Sequence, residues 1–514
     1  MEKDGVDNYK LAASDHLNID KDKIEFVKIL SKSLDARGKK QFFYEMSIVV
    51  NVPDSFVNKD NLPVYTDKIE EDIKQVKLKD RPIIIGFGPA GIFAALELID
   101  RGIKPLIFER GKKIEEREID IQKLIGDRVL NTESNIQFGE GGAGSYSDGK
   151  LFSRIKNSKY ADKVLDTFIK FGAPEEIGYL SKPHLGTDVL CKIVIRMRNY
   201  ILERGGDIHF GSKMTDMLID DGALVGVVIN GEKEYRSSTI YLAVGHSARD
   251  TFEIAFKNNI FVEPKPISIG MRLEHPAEII NLIRYGKKYK DFPGIGAASY
   301  SFTHTDRKIG RGIYTFCMCP GGEVLNASSE DEMLVVNGMS YSGRSSAFSN
   351  SAIVVTCNTA DYGSSHPLAG IEFQRDVERK AFRAGGGDWK VPAQNLTDFL
   401  AGRVSSELNK NSYKMGTTAA DMKEIFPKFV SDALSIAFKK WKNDSPLFVS
   451  KHAILLGAET RTSCPVRMRR NEEYESINIK NLYPIGEGSG YAGGITSSAV
   501  DAIKAVECSL VKKI

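Results

Sequence analysis

The sequence predicts a mixed α/β chain made of several folding units, and three observations carry that expectation. The chain is 514 residues long, and at about 150 residues per domain it accommodates two to three units. Between Pro82 and Arg110 a short apolar run, a glycine-rich break, a helical pattern and a second extended run follow one another, which is the order of a strand–helix–strand unit in a parallel sheet. Beyond Phe261 the pattern changes, and short strand-like runs alternate with glycine, serine, asparagine and aromatic residues up to about residue 450, as a mixed or antiparallel sheet would read.

Composition narrows the function classes. Charged residues make up 27% and hydrophobic ones 42%, which excludes global disorder and collagen-like repeats. Lys plus Arg total 71 against 68 for Asp plus Glu, a net charge of +3. That balance lacks the positive excess of a phosphate-backbone binder, so the expected partner is a small molecule and there is no strong nucleic-acid signature. The six cysteines, Cys191, Cys317, Cys319, Cys357, Cys464 and Cys508, are too sparse for a secreted disulfide framework and fit reduced thiols in a cytoplasm. No run of apolar residues is long enough for a membrane span. The opening MEKDGVDNYK has no apolar stretch behind it of the kind a signal peptide needs.

Taken in order, residues 1–78 read as a small α+β module. Ile24, Phe26, Val27, Ile29 and Leu30 cluster, Ser33 to Lys40 is polar, and Phe42 to Val50 is a β-branched and aromatic run stopped by Pro53. The module carries thirteen basic and fifteen acidic residues, and the charged stretch Ile69 to Asp80 leads out of it.

Pro82 to Ile85 then breaks into Gly86-Phe87-Gly88-Pro89-Ala90-Gly91. Ile92, Ala95, Leu96 and Ile99 recur at helical spacing, Gly102 stands where a left-handed cap belongs, and Lys104 to Phe108 is extended and ends in Glu109-Arg110. A dinucleotide pyrophosphate needs a close backbone approach at a helix N-terminus. Gly86 permits the tight turn, Gly88 the approach, and Gly91 the packing of helix on strand. Glu109 follows Gly86 by 23 residues, near the spacing of about 20 at which a carboxylate reaches a ribose hydroxyl. The expected unit is a Rossmann-like dinucleotide-binding domain, and its fingerprint serves NAD and FAD alike.

Two further glycine clusters follow. Asn135 to Lys150 holds five glycines in sixteen positions, too many for a regular helix or strand. Thr187 or Asp188 is expected to cap a helix running to Arg204, Gly205-Gly206 closes it, and Asp207 to Phe210 is extended. The run to Gly245 is another sheet strand. Leu482 to Gly488 reads as a strand entering a loop, and Ile495 to Leu510 as a helix starting beside Gly493-Gly494.

The fingerprint with Glu109-Arg110, the block Asn135 to Lys150, the run Leu242 to Arg249, and Gly486-Glu487-Gly488 with Gly493-Gly494 resemble the bacterial FAD-dependent dehydrogenases often labelled NAD(FAD)-utilizing dehydrogenases. Lys182 to Asp188, Ile267 to Pro276 and Thr315 to Gly322 extend the resemblance over nearly the whole chain. It implies non-covalent FAD, with Glu109 on the adenosine ribose and the amides of Gly493, Gly494 and Ile495 at the flavin pyrimidine. The expected cofactor-binding residues are Gly86, Gly88, Pro89, Ala90, Gly91, Glu109, Arg110, Gly139, Gly142, Ala143, Gly144, Lys150, Ala243, Gly245, Gly486, Glu487, Gly493, Gly494 and Ile495. Residues 79–260 would form the first part of the FAD domain, 261–450 an inserted substrate domain, and 451–514 the returning part. Gly294-Ile295-Gly296 lacks a third glycine and a following helix, so NAD(P)H is expected only as a transient electron donor.

The catalytic candidates lie in the second half. Arg272 and Glu274 share a strand face and would pair, while His275 points the other way. That is a structural ion pair or, alternatively, Arg272 holds an anionic substrate and His275 acts as a general acid. Glu459 and Arg461, in the cluster Glu459-Thr460-Arg461-Thr462-Ser463, are expected to meet near the flavin or to pair internally. Cys317 and Cys319 would lie on one strand face as a buried pair of small side chains, a dithiol relay being the alternative. No metal site is expected. His184 stands beside a glycine-bearing loop as a loose candidate for phosphate or substrate contact. The expected function is an FAD-dependent oxidoreductase, a dehydrogenase or reductase exchanging hydride or electrons between flavin N5 and a small organic substrate. The alternative is a non-catalytic flavin-binding partner or RNA-modification accessory that docks through the N-terminal module.

Overall fold

Three consecutive isoleucines, Ile83–Ile85, are buried on both faces, as a strand in the middle of a covered parallel sheet must be. In the computed structural model, which describes residues 4–39, 41–67, 73–151, 159–292, 294–307 and 309–511, they form the centre of a five-stranded sheet. Its order is Leu482–Pro484, Ile240–Leu242, Ile83–Ile85, Leu106–Phe108 and Asp207–His209, and every neighbouring pair is parallel. The helix Pro89–Asp100 follows the central strand and packs against Ile495–Val511 and Gly186–Glu203. A three-stranded antiparallel sheet, Met214–Asp220, Ala223–Ile229 and Lys233–Arg236, shares an apolar cluster with the opposite face.

After Ile240–Leu242 the chain leaves this sheet and returns only at Leu482–Pro484. In between it builds a seven-stranded sheet ordered Thr303–Asp306, Arg311–Cys319, Phe348–Cys357, Ile267–Pro276, Ile454–Glu459, Val391–Asn395 and Thr417–Ala419. All pairs are antiparallel except the last. Ile267–Pro276 is central, and nine of its ten residues are buried. The helices Ala369–Gly385 and Lys428–Asp444 cover this sheet and share its core with Trp389, Phe399 and Phe438.

The N-terminal residues form a helix, Val6–Leu17, and an antiparallel hairpin, Glu25–Asp35 with Phe43–Asn51. The hairpin is fastened by the Lys32 backbone, whose N–H donates to the Tyr179 carbonyl at 2.9 Å, and by Phe42, which packs edge-on against Tyr285 and Phe292. The charged transition expected from Ile69 to Asp80 begins on residues outside those described. Among the described residues, no helix is long and apolar enough to cross a membrane.

Two local expectations need correction. The helix expected to be capped by Thr187 or Asp188 begins at Gly186, with Leu185 at the cap position. Asp188 instead accepts from the Ser342 N–H at 2.7 Å, because the 340–342 loop lies against that helix start. A division at 450/451 would cut the seven-stranded sheet, since Ile454–Glu459 pairs with Ile267–Pro276. The apolar run that looked like the start of the returning segment is a core strand of the larger sheet.

Candidate functional site

The turn after Ile85 bends sharply because Gly86 has φ +98°, and a β-carbon there would stand 2.4 Å from the Ala243 carbonyl oxygen. Gly91 is confined differently: a β-carbon would lie 2.0 Å from the Gly86 carbonyl oxygen, so only glycine lets this helix sit so close to its strand. Pro89 opens the helix, Gly88 is its cap residue, and no side chain caps it. A helix start in that state leaves backbone amides for an anion.

These residues form one end of a cavity of about 400 Å³. One wall is made by Gly86, Gly88, Pro89, Ala90, Glu109, Arg110, Gly139, Gly142 to Gly144, Lys150, Ala243, Gly245, Glu487 and Gly493 to Ile495. The other comes from the second half of the chain through Phe316, Cys317, Asn337, Arg461 and Thr462. Among the described residues, and leaving out the chain neighbours, nothing lies within 4 Å of where a β-carbon would stand at Gly245, Gly493 or Gly494, so the cradle is open to a ligand. Of the expected cofactor residues, Gly91 and Gly486 stand behind the wall. Gly486 has φ +69° and donates its N–H to Asp501 at 2.8 Å, which makes it a turn residue.

Glu109 lies in the wall with its carboxylate largely engaged. Oε2 accepts from the Phe87 N–H at 2.7 Å, and Oε1 from the N–H groups of Gly111 and Gly139, both at 2.9 Å. A carboxylate has about four acceptor directions, so one remains on Oε2 for a hydroxyl. Arg110 is held by Asp250 and Glu133 and stacks on the Phe138 ring. The Gly493 amide donates to Ser497 Oγ at 3.1 Å, leaving Gly494 and Ile495 as the next amides at the start of the last helix. These features fit a dinucleotide: an open helix start for the phosphates, an acid with a spare acceptor direction, and a glycine cradle at the far end.

The catalytic candidates are mostly placed elsewhere. Arg272 does not pair with Glu274. It is fully buried behind the cavity wall, with Nε and Nη2 on Glu459, Nη1 on the Cys317 carbonyl and Asn350, and Nη2 also on Asn337. Its five N–H groups are all spent, so none is free for a substrate anion. Burial opposes the charge on Arg272, and Glu459 overcomes it and holds the guanidinium above its ordinary range. Glu274 is also buried and accepts from the Ser412 N–H at 2.7 Å and from its hydroxyl; burial pushes it up to about 7.

His275 stacks on Phe448 and makes a 2.8 Å hydrogen bond to that residue's carbonyl. It does not line the cavity, and burial drives its pKa down to about 4. Glu459 and Arg461 do not meet. Arg461 instead forks onto Glu378 at 2.9 and 3.2 Å, and Arg249 holds the same carboxylate. Burial opposes ionisation of Glu378, but Arg249 and Arg461 keep it well below the usual carboxylate range. Of the four catalytic candidates, Arg461 alone reaches the cavity.

Sequence reasoning missed His246, which lines the cavity with Nδ1 3.5 Å from Glu487 Oε2 and a buried Nε2 that has no partner among the described residues. Its place directly after Gly245 was the available signal. Cys317 departs from the expected regular strand, since a bulge interrupts the register between Phe316 and Cys319 and turns Cys317 into the cavity wall. Lys150 stands beside it, its Nζ on the Met318 carbonyl and 3.2 Å from Asp148. His184 makes a 3.3 Å contact with the Ser342 carbonyl and does not line the cavity.

Residues 266–462 match the family model described as FAD-dependent protein, C-terminal domain-like. An uncharacterized protein of Clostridium beijerinckii is 44% identical over 505 residues, covering 96% of this chain and 93% of its own. Among solved structures, CtdE in complex with FAD is 13% identical over 85% of this chain and 84% of that one, with a TM-score of 0.31. A mutant of the halogenase PltM in complex with FAD is 9% identical over 84% and 68%, with a TM-score of 0.37. Likenesses that distant do not bear on the reaction. With that relative along nearly its whole length, the chain belongs to the same family as the Clostridium beijerinckii protein, and its residues 266–462 carry the module described as FAD-dependent protein, C-terminal domain-like.

Proposed function

We propose that the protein is an FAD-dependent oxidoreductase, a dehydrogenase or reductase that exchanges a hydride or electrons with a small organic substrate. The observation that carries this reading is the double wall of the cavity: glycine turns at helix starts on one side, and Phe316, Cys317 and Asn337 from the second half of the chain on the other. FAD, when bound, supplies a two-electron carrier. The uncapped start of Pro89–Asp100 holds the pyrophosphate, the spare acceptor direction of Glu109 orients the ribose, and the amides of Gly494 and Ile495 favour negative charge at the far end. Phe316 and Asn337 line the same cavity from the second half of the chain. In this reading the parallel sheet is a Rossmann-like cofactor domain, the seven-stranded sheet is a substrate domain set into it, and NAD(P)H serves as a transient electron donor.

The test is the visible absorption spectrum of the purified protein, followed by anaerobic addition of NADH and then NADPH. Flavin bands that bleach support a nicotinamide-linked oxidoreductase. Bands that survive both, and also survive a panel of amino and hydroxy acids, overturn the oxidoreductase reading.

A further inference from the structure

We propose that Cys317 and Cys319 are a redox-active dithiol at the cavity wall, which closes to an intrachain disulfide at the expense of a small disulfide substrate. This names a substrate class for the flavoenzyme proposed above and rests on that reading for the return of electrons.

The geometry separates this pair from the other four cysteines. On a regular strand, residues two apart are about 6.6 Å from each other, at the upper limit for a disulfide. Here a bulge between Phe316 and Cys319 interrupts the regular ladder at this pair. Cys317 has φ +43°, a conformation that non-glycine residues seldom adopt and that marks functional sites when the surroundings enforce it. The enforcement is visible: Arg272 Nη1 donates to the Cys317 carbonyl at 2.8 Å, and Cys319 Sγ lies 3.4 Å from the same oxygen.

Two cations attend the site, Lys150 from the cavity wall and Arg272 from behind. The neighbouring Cys319, and then Lys150 and Arg272, outweigh burial and lower the Cys317 thiol, whereas Cys319 is raised. Cys191, Cys357 and Cys464 are all pushed up by burial, to about 11, 12 and 12. A cysteine on the cavity wall whose thiol is lowered, with a buried cysteine of raised thiol two residues on, is the arrangement of an attacking and a resolving cysteine.

In the step proposed, the Cys317 thiolate attacks one sulfur of a disulfide RSSR, forming a mixed disulfide and releasing RS⁻. Cys319 then loses its proton and attacks the Cys317 sulfur, releasing the second RS⁻. One S–S bond forms in the protein and one breaks in the substrate. Two electrons pass to the substrate, and the two protons, one already given up by Cys317, leave on two RSH. The disulfide would be returned to the dithiol by two electrons and two protons, which FAD, when bound and reduced, would supply.

The test has two arms. In the first, the reduced protein is stripped of flavin, exposed to glutathione disulfide and mapped by peptide mass spectrometry. The expected result is a Cys317–Cys319 crosslink and the loss of two hydrogens in mass, abolished by Cys319→Ser, which traps a glutathione adduct on Cys317. In the second, the oxidised flavin-loaded protein is titrated anaerobically with dithionite. The expected uptake is about four electrons per chain, falling to about two in Cys317→Ser or Cys319→Ser. Free thiols at both positions after glutathione disulfide, or adducts confined to Cys191 and Cys508, overturn the proposal. So does an uptake of two electrons in the wild type. A crosslink in the first arm with no flavin retained in the second would sustain the dithiol and remove the flavoenzyme reading.

Discussion

The Cys317 carbonyl accepts a hydrogen bond at 2.8 Å from Arg272, so the bulge in the cavity wall is tied to the central strand of the seven-stranded sheet. Arg272 itself is fully buried and grips Glu459 with two nitrogens. Removing one partner of such a pair leaves an uncompensated buried charge, whereas removing both does not. Arg272→Met should therefore lower stability by about 3–5 kcal/mol, read as a fall in the urea midpoint. Arg272→Met with Glu459→Leu should recover most of it. If Arg272 held a substrate anion, the single variant would unfold like the wild type and show only a raised KM.

Glu109 ties together three backbone amides and keeps one acceptor direction for the ribose. In Glu109→Gln an NH₂ replaces one carboxylate oxygen, so at least one buried amide loses its acceptor. We expect a loss of about 1–3 kcal/mol in stability together with a lower flavin-to-protein ratio after gel filtration. A destabilised variant that retains its full flavin complement would show that Glu109 serves only as a clasp for the loop.

The parallel sheet and its glycine turns were legible because each rests on local chemistry: Ile83–Ile85 reads as a buried strand, and Gly86 and Gly91 are glycine for contacts within a few residues or one strand away. The site chemistry was not legible in the same way. Arg272 and Glu274 are two apart on one strand, yet they choose Glu459 and Ser412, partners 187 and 138 residues distant. Alternation along a strand shows which face a side chain takes and says nothing of what a neighbouring strand or loop presents there. Cys317 was misread for a related reason, since alternation assumes an unbroken ladder and the bulge beside it depends on the pairing with Phe348–Cys357.

His246 carries the only cavity-wall imidazole among the described residues, and its buried Nε2 lacks a partner. A polar atom left unpaired within the protein is one that a ligand can satisfy. His246→Ala should weaken FAD binding about tenfold, equivalent to about 1.4 kcal/mol for one hydrogen bond, while the flavin-free protein keeps its unfolding midpoint. Fluorescence titration of the stripped protein with FAD measures this, and an unchanged dissociation constant would exclude a cofactor role for His246.

His275 makes a prediction about pH. Burial lowers its pKa from the ordinary 6.5 to about 4, so the unfolded chain takes up this proton near pH 6.5 and the folded one only near pH 4. The unfolded state thus binds more protons between those values. The contribution is fully present above pH 6.5 and is lost as the pH falls toward 4, by about 3 kcal/mol in all. His275→Phe keeps the ring on Phe448 and removes the titration. Its stability should be lower than wild type at pH 7 by about 1–2 kcal/mol, for the lost bond to the Phe448 carbonyl, and its acid limb should be flatter. Glu274, pushed up to about 7 by burial, works in the opposite sense, its contribution declining as the pH rises from about 4.5 to 7. It is common to both proteins and cancels in the difference between their urea curves. Parallel curves, with turnover abolished in the variant, would restore His275 as an acid at the flavin.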